Sequence, residues 1–299
     1  MDNLKVIDAH SHLWLRQDTT VDGKVIRTTE NGKSIFMDGE VQMLPPFMID
    51  GRNSAEVLIS NMDFAQVSAA VVVQEIIDGC QDDYLKDVQM RYPDRFLCCG
   101  LATDAGSISA LCSTNDFRAV AIPGHRLKMP LNSPEMMAAF KQMEEKGMIL
   151  SMCLGDDAVQ IGEMNEVIEE CSRLKVAIGH FGMVTTPNWK QQVMLARHDN
   201  VMIESGGITW LFNSEFYPYP SAVRSIREAA DMVGMDKLMW GSDYPRTISV
   251  ITYRMSYDFV LKSGELTDDE KVLFLGQNAE QFYGFSNLRQ MPYIKHMAE

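Results

Sequence analysis

The sequence predicts a (β/α)8 TIM barrel, an α/β fold in which eight parallel strands each lead into a helix. Eight short apolar runs are spread along the 299 residues, and longer amphipathic segments separate most of them. The runs show no strict alternation of polar and apolar residues, as expected of strands that are buried on both faces. Eight strand-then-helix units in a chain of this length favour a closed barrel over an open doubly wound sheet.

Each predicted strand is a short run that is rich in apolar residues. In chain order the strands are predicted at 5–13, 67–76, 95–103, 117–124, 148–155, 175–182, 200–207 and 237–245. Parallel barrel strands end at one rim, so the side chains at the carboxyl ends of these runs are expected to line a common mouth.

Helical patterns fill most of the gaps between the strands. The clearest pattern covers 133–147, where Ser133, Pro134 and Glu135 are typical of a helix start and Gly147 of a helix end. Apolar residues at helical spacing predict further helices at 54–66, 158–174, 220–234 and 267–284.

One segment, residues 16–53, interrupts this rhythm between the first strand and the first helix. It contains Asn31–Gly32, a strong signal for a hairpin turn, between two short apolar stretches. An insertion after strand 1 is expected to lie over the barrel mouth, either as an active-site lid or as surface decoration or an oligomer contact. The whole chain, 1–299, is expected to form a single domain that ends in a tail at 285–299.

The composition of the chain argues against several classes of protein. The net charge of -14 argues against a nucleic-acid partner, which needs a basic face. The six cysteines form no CxxC pair, and several lie in apolar runs, as expected of buried thiols in a reducing compartment. With no signal-peptide pattern and no apolar stretch of membrane-spanning length, we expect a cytoplasmic protein without a membrane segment.

The first strand ends with two histidines in "KVIDAHSHLW". Alternate strand residues point the same way, so His10 and His12 are expected on one face, ~7 Å apart along the strand, with Asp8 deeper on that face. Two imidazoles held in this way can bind one divalent metal ion. The H-x-H string by itself is common, and the positions of other polar residues decide its meaning.

His180 ends the sixth predicted strand and Asp243 ends the eighth. Each has an ordinary explanation, since His180 could be a core histidine bonded to the backbone and Asp243 a turn residue before Tyr244–Pro245. Convergence on one barrel mouth favours a shared site instead. We therefore predict one divalent metal ion, with zinc expected, and the ligands His10, His12, His180 and Asp243.

Four stretches together resemble the amidohydrolase superfamily, and more narrowly its amidohydrolase-related branch. They are "IDAHSHLW", "IGHFG", "WGSDYP" and "LGQNAEQFYGF", and the resemblance spans residues 5–285. The "HLW", "FRAV" and "ESGG" stretches are similar to the group of 2-pyrone-4,6-dicarboxylate and sugar-acid lactonases. This resemblance implies a TIM-barrel hydrolase that opens a small lactone of a sugar acid or dicarboxylate. Some lactonases of this group do not require a metal, so metal-independent hydrolysis stays open.

Two departures from the superfamily pattern bear on the metal site. The fourth strand, "FRAVAIPG", lacks the lysine that many members carbamylate to hold a second metal, so a single-metal site is expected. The fifth strand, "MILSMCLGDD", lacks the histidine that decarboxylases of the branch carry. Cys153 or Asp156 could substitute for it, although Cys153 also fits a plain core thiol. The lactonase interpretation is thus favoured over its alternative, a metal-dependent decarboxylase of an aromatic or unsaturated acid.

Catalytic and substrate-binding roles follow from what hydrolysis requires. Asp243 can accept the proton of the attacking water and return it to the leaving alkoxide, while the histidines hold the metal or donate to the carbonyl oxygen, with His180 as the second catalytic candidate. An anionic or polyhydroxylated small substrate is expected, and a homodimer is compatible with the insertion. A catalytically silent barrel that only binds a ligand is a third interpretation. The substrate-binding candidates are Glu75, His125, Arg126, Lys128, Trp210 and Arg246.

Overall fold

The computed structural model describes residues 4–289 and 291, and it contains the predicted (β/α)8 barrel. Each of the eight predicted strands is present, and all eight are shorter than predicted. In chain order the strands are β1 (Val6–Ser11), β2 (Asp18–Val21), β3 (Lys24–Thr28), β4 (Lys33–Phe36), β5 (Gly39–Gln42), β6 (Val67–Val72), β7 (Phe96–Leu101), β8 (Ala119–Ile122), β9 (Ile149–Met152), β10 (Lys175–Ile178), β11 (Val201–Glu204) and β12 (Leu238–Met239).

The helices follow the barrel strands and cover the outside of the barrel. They are α1 (Ala55–Ala65), α2 (Asp82–Arg91), α3 (Ala105–Ser113), α4 (Pro134–Glu145), α5 (Ala158–Glu170), α6 (Trp189–Met194), α7 (Ile208–Leu211), α8 (Pro220–Val233), α9 (Met255–Lys262), α10 (Asp268–Val272) and α11 (Asn278–Tyr283). No helix in the described part of the chain is long and apolar enough to cross a membrane.

The five predicted helices are confirmed, and the last one is interrupted. A π-helical stretch, Leu273–Gln277, separates α10 from α11 inside the predicted 267–284 helix. Five helices were not predicted from the sequence, namely α2, α3, α6, α7 and α9. These helices are short, and α2 buries only Leu85 and Val88, which is too few apolar positions to give a visible period.

Backbone hydrogen bonds between the last and first strands close the barrel. The barrel strands pair in the order β1-β6-β7-β8-β9-β10-β11-β12, all in parallel. The N–H of Ala9 donates to the Trp240 carbonyl at 2.9 Å, and the N–H of Asp243 donates to the His10 carbonyl at 2.9 Å. Closure therefore places the residues after β12 directly beside the end of β1.

An apolar cluster to which all eight barrel strands contribute fills the barrel interior. It includes Ile7 and Ala9 of β1 and several small residues, such as Ala69 and Ala121. Phe285 and Leu288, from the predicted 285–299 tail, pack against this cluster, while 290 and 292–299 lie outside the described residues. The pairing register of β1 with β6 shifts between Asp8 and Ser11, which lets His10 face inward beside Ala9.

The 16–53 insertion forms a four-stranded antiparallel sheet in the order β2-β3-β4-β5. The predicted hairpin at Asn31–Gly32 joins β3 and β4, whose pairing includes Thr28 opposite Ser34. The sheet is wider than predicted, because Asp22–Gly23 forms a further tight turn between β2 and β3 with positive φ at both residues.

The insertion contacts loops that follow two barrel strands. Gln17 donates a 2.7 Å hydrogen bond to Asp78 in the loop after β6, and accepts one of 2.7 Å from Ser34 within the insertion. Asp22 forms an exposed ion pair of 3.2 Å with Lys128 in the loop after β8. The insertion thus rests on the carboxyl-terminal side of the barrel, where the strand-end residues lie.

Candidate active site

Glu204, the last residue of β11, is buried at the barrel mouth and orients the first histidine. Its Oε1 accepts hydrogen bonds from Nδ1 of His10 at 2.8 Å and from the backbone N–H of His180 at 3.0 Å. Its Oε2 accepts from the backbone N–H of Gly206 at 2.5 Å. Since Nδ1 of His10 carries the proton in this bond, Nε2 keeps a free lone pair for another partner.

Three glycines leave the space that the Glu204 carboxylate occupies. An added Cβ at Gly179 would lie 2.9 Å from Oε1 of Glu204, and at Gly206 or Gly241 it would lie 2.8 or 2.6 Å from Oε2. None of the three has a backbone conformation that requires glycine. They are needed because the carboxylate and the backbone approach so closely.

His10, His12 and Asp243 converge at the end of β1. Nε2 of His12 lies 3.1 Å from Nε2 of His10 and 3.2 Å from Oδ1 of Asp243, and that oxygen lies 3.8 Å from Nε2 of His10. The two side chains converge at their Nε2 atoms, although alternate strand residues are ~7 Å apart along the backbone.

Opposed charges set the protonation of this trio. Burial lowers the pKa of His10, so its ring is neutral near pH 7. Burial also acts to lower the pKa of His12, but the hydrogen bond to Asp243 and the charges of Asp78 and Glu75 outweigh it and raise that pKa to about 9. The Nε2 proton of His12 therefore lies between Nε2 of His10 and Oδ1 of Asp243. These two acceptors would also favour a metal cation at this position.

His180 follows β10 with a positive φ of 60°, and its ring centroid is 4.5 Å from that of His10. Its Nδ1 is 2.8 Å from the carbonyl oxygen of Gly206, which accepts the Nδ1 proton. In the neutral ring this bond leaves the lone pair on Nε2, which has no bonded partner among the described residues. A backbone carbonyl thus selects the tautomer that can bind a metal.

Asp243 uses its two carboxylate oxygens for different partners. Oδ1 faces His10 and His12, while Oδ2 accepts a 2.7 Å hydrogen bond from the indole N–H of Trp210. Burial acts to raise the pKa of Asp243, but the hydrogen bond to His12 and the neighbouring imidazoles hold it well below its usual range. The carboxylate is therefore ionised, and its orientation is determined by Trp210.

The predicted metal ligands form two overlapping donor groups that share His10. The ligand atoms of His10, His12 and Asp243 lie within 4.8 Å of one another, and so do those of His10, His180 and Cys153. The Nε2 lone pairs of His10 and His180 and the ionised carboxylate of Asp243 are already in the form that coordinates a divalent cation. The His12 ring and the Cys153 thiol would each release one proton to coordinate it.

The predicted substrate-binding residues fall into three places. Glu75, His125 and Arg126 lie together, because Oε1 of Glu75 accepts from Nε of Arg126 at 2.8 Å and its Oε2 is 3.5 Å from His125. Arg246 stacks on Trp210, with its guanidinium carbon 4.0 Å from the ring centroid.

Lys128 is mostly exposed and pairs with Asp22 of the insertion. The indole N–H of Trp210, predicted to contact substrate, is already bonded to Asp243.

Two acidic residues that contact the histidines were not predicted from the sequence. Glu204 appears in "VMIESGG" as a single glutamate at the end of an apolar run, and this was its only sequence signal. Asp78, in the loop after β6, is buried and places Oδ2 3.5 Å from Nδ1 of His12. Burial raises the pKa of Asp78 to about 6, against the opposing charge of His12.

Asp8 does not share the face of the two histidines, which corrects the expectation from strand parity. Its Oδ1 accepts from the N–H of Ser242 at 2.8 Å, and its Oδ2 accepts from Ser242 Oγ at 2.5 Å and Tyr253 Oη at 2.6 Å. Burial raises its pKa to about 6. The register shift after Asp8 turns this carboxylate toward the β12 end, where it ties the two ends of the barrel together.

Comparison with known proteins agrees with this architecture. The family model described as amidohydrolase matches residues 7–285. Among solved structures, a probable 2-pyrone-4,6-dicarboxylic acid hydrolase of Acinetobacter baumannii with bound citric acid is 20% identical, covers 94% of this chain and 100% of its own, and has a TM-score of 0.68.

Two further structures resemble the chain at similar distance. An amidohydrolase of Burkholderia multivorans with bound zinc is 15% identical, with 94% and 99% coverage and a TM-score of 0.68. A 5-carboxyvanillate decarboxylase of Sphingomonas paucimobilis is 16% identical, with 95% and 100% coverage and a TM-score of 0.60. No curated protein matches the sequence.

At these identities the structural likeness establishes only the fold, which hydrolases and decarboxylases share. The family model, by contrast, covers the strand ends that carry His10, His12, His180, Glu204 and Asp243. This chain therefore belongs to the amidohydrolase family.

Proposed function

We propose that this protein is a hydrolase that opens the ring of a small, anionic lactone. The observation that carries the proposal is the arrangement of Asp243, which is ionised, held by Trp210 through Oδ2, and presents Oδ1 to His10 and His12. A carboxylate held in this way at a barrel mouth is suited to move a proton between water and substrate.

Lactone hydrolysis adds water to the ring carbonyl and breaks the bond between that carbon and the ring oxygen. Asp243 accepts a proton from the attacking water and returns it to the ring oxygen as that oxygen leaves. The lowered pKa of Asp243 keeps it ionised, and its fixed position beside the reacting atoms compensates for its weak basicity.

His10, His12, His180 and Asp243 would hold one divalent cation, and zinc is the expected ion. When bound, such a cation polarises the carbonyl oxygen and lowers the pKa of water. Glu204 fixes the tautomer of His10 and the carbonyl of Gly206 fixes that of His180, so that each ring has its Nε2 lone pair available to a cation. The zinc bound to the similar Burkholderia protein supports this choice of ion.

Arg126 is the proposed anchor for a substrate carboxylate. Glu75 engages only its Nε, so the two terminal nitrogens have no bonded partner in the described part of the chain. Those nitrogens can make a bidentate contact with a carboxylate. The A. baumannii protein, which is similar to this chain, was solved with citric acid bound, and this supports an anionic substrate.

A second candidate is a metal-dependent decarboxylase of an aromatic or unsaturated acid. The observation that favours it is Cys153, a donor atom after β9 that lies within 4.8 Å of donors on His10 and His180. Decarboxylases of the resembled branch carry a histidine on this strand. Cys153 would thus supply, after β9, the metal donor that a histidine supplies in those decarboxylases.

Acid release distinguishes the two candidates. The protein, loaded with zinc, is mixed with a panel of sugar-acid and dicarboxylate lactones in a weakly buffered indicator solution. Ring opening yields a free acid and lowers the pH, and Asp243→Asn should abolish this signal. Asp236→Asn, at an exposed aspartate just before β12, is the matched control and should retain it.

The outcomes separate the proposals. Acidification by the wild type and the control, but not by Asp243→Asn, supports the lactonase. No acidification with any lactone, together with release of CO2 from aromatic acids, would replace it with the decarboxylase.

A further inference from the structure

Cys153 follows β9 and faces the same mouth as the histidines. A ligand atom from each of Cys153, His10 and His180 lies within 4.8 Å of the others, forming a donor group without Asp243. The thiol forms no disulfide and has no hydrogen bond to any other described residue. The thiol is therefore placed to bind a group that is not part of the protein chain.

The structure leaves space for this sulfur. An added Cβ at Gly179 would lie 2.9 Å from Sγ of Cys153 as well as 2.9 Å from Oε1 of Glu204. The absent side chain at Gly179 lets the thiol lie close to the carboxylate that orients His10. Cys98 and Cys99, the two buried thiols of β7, belong instead to the two apolar clusters.

We propose that Cys153 binds the divalent cation of this site as a thiolate, and that this makes the site select zinc or cobalt over manganese and magnesium. The proposal rests on the proposed function only in assuming that a cation binds here. In the binding step, a bond forms between sulfur and the metal, the S–H bond breaks, and the proton passes to solvent; no electrons are transferred.

The selectivity follows from ligand chemistry. Thiolate is a soft ligand that favours zinc and similar ions, whereas manganese and magnesium favour carboxylate and water oxygens. The remaining donors are three imidazoles and one carboxylate, which many first-row ions accept. Replacing the sulfur by oxygen, as in Cys153→Ser, keeps nearly the same shape and changes mainly this preference.

Cobalt(II) provides a readout that does not depend on catalysis. A thiolate bound to cobalt gives a charge-transfer band in the near ultraviolet, while the visible bands report cobalt bound by any ligands. All proteins in the experiment carry Cys80→Ala, because Cys80 is the exposed thiol. Cobalt is titrated into this background protein, into its Cys153→Ser variant and into its Cys99→Ala variant, a buried-thiol control.

We expect the charge-transfer band in the background protein and in Cys99→Ala, and its loss in Cys153→Ser with the visible bands retained. Competition with a chelator should show zinc affinity falling by about tenfold or more in Cys153→Ser, with manganese affinity little changed. Near-ultraviolet circular dichroism of the metal-free variants checks that each is folded.

The results that would contradict the thiolate ligand differ from those that would contradict the proposed function. Visible cobalt bands without a charge-transfer band in the background protein would overturn the thiolate ligand and leave the histidine–aspartate metal site intact. A band that persists in Cys153→Ser would also overturn it. Absence of any cobalt binding would overturn both this inference and the metal-assisted form of the proposed function, while the acid-release assay would still test hydrolysis itself.

Discussion

The indole nitrogen of Trp210 donates a 2.7 Å hydrogen bond to Oδ2 of Asp243, so that only Oδ1 of this carboxylate faces the two histidines of β1. The indole is packed against Gly207, where an added Cβ would lie 1.9 Å from the indole nitrogen. Trp210 is thereby a positioning residue, with Arg246 stacked on its ring.

Replacing Trp210 by Phe tests this role. Loss of a hydrogen bond to a charged group costs about 1.5–3 kcal/mol, which corresponds to a fall in kcat of roughly ten- to a hundredfold. If Trp210 acts only by orienting Asp243, KM should change little. Steady-state kinetics would contradict the positioning role if KM rose strongly while kcat was unchanged, because that result indicates direct substrate contact.

Glu204→Gln should weaken both the fold and the metal site. The carboxylate accepts three hydrogen bonds, and an amide must turn one donor group toward those N–H groups. We expect a loss of about 1–3 kcal/mol in the free energy of unfolding and a ten- to a hundredfold loss of zinc affinity. Urea unfolding and chelator competition measure these, with the exposed Glu170→Gln expected to stay within about 0.5 kcal/mol.

Metal binding should release the His12 proton. Since the pKa of His12 is raised to about 9, the ring is protonated in the metal-free protein at neutral pH and must lose its proton to coordinate. The apparent zinc affinity should therefore increase with pH up to about 9. In Asp78→Asn, the His12 pKa falls and fewer protons are released in mildly alkaline solution; calorimetry in buffers of different ionisation enthalpy counts them.

The same shift predicts how the metal-free protein responds to pH. A histidine whose folded pKa is raised from 6.5 to about 9 adds stability that is complete below 6.5 and is lost as the pH rises toward 9. His12→Gln should remove this part of the pH dependence. Equal pH profiles for the two proteins in urea unfolding would show that His12 is not charged in the folded state.

Gly179→Ala should destabilise the protein, because its Cβ would lie 2.9 Å from both Cys153 Sγ and Glu204 Oε1. A cost of about 1–3 kcal/mol is expected for such overpacking. The control is Gly162→Ala in the middle of α5, where no atom lies within 4 Å of the added Cβ. Gly162→Ala should stabilise the protein by about 0.5–1 kcal/mol. Thermal unfolding of the two variants checks that their stabilities change in opposite directions.

Arg126→Lys tests the substrate anchor. Lysine keeps the positive charge but cannot form the bidentate contact that the two free guanidinium nitrogens allow. KM for a dicarboxylate lactone should rise by about tenfold or more, with a smaller change for an uncharged lactone. An equal effect on both substrates would argue against a carboxylate contact at Arg126.

Much of the fold could be predicted from the sequence because each barrel strand is recognisable from a short stretch of consecutive residues. Each is a short apolar run buried on both faces, and the histidines and Asp243 stand at the carboxyl ends of such runs. The short helices α2, α3, α6, α7 and α9 were not predicted, because they bury few apolar positions and give little helical periodicity.

The sequence by itself determined the barrel, the mouth and the four candidate ligands, since burial patterns and strand ends are local features. Only the tertiary structure decided how these ligands are held. Glu204 lies 194 positions from His10, and barrel closure alone brings them to 2.8 Å. A single glutamate after an apolar run has many ordinary meanings, and its partner is set by which strands pair across the barrel rather than by neighbouring residues.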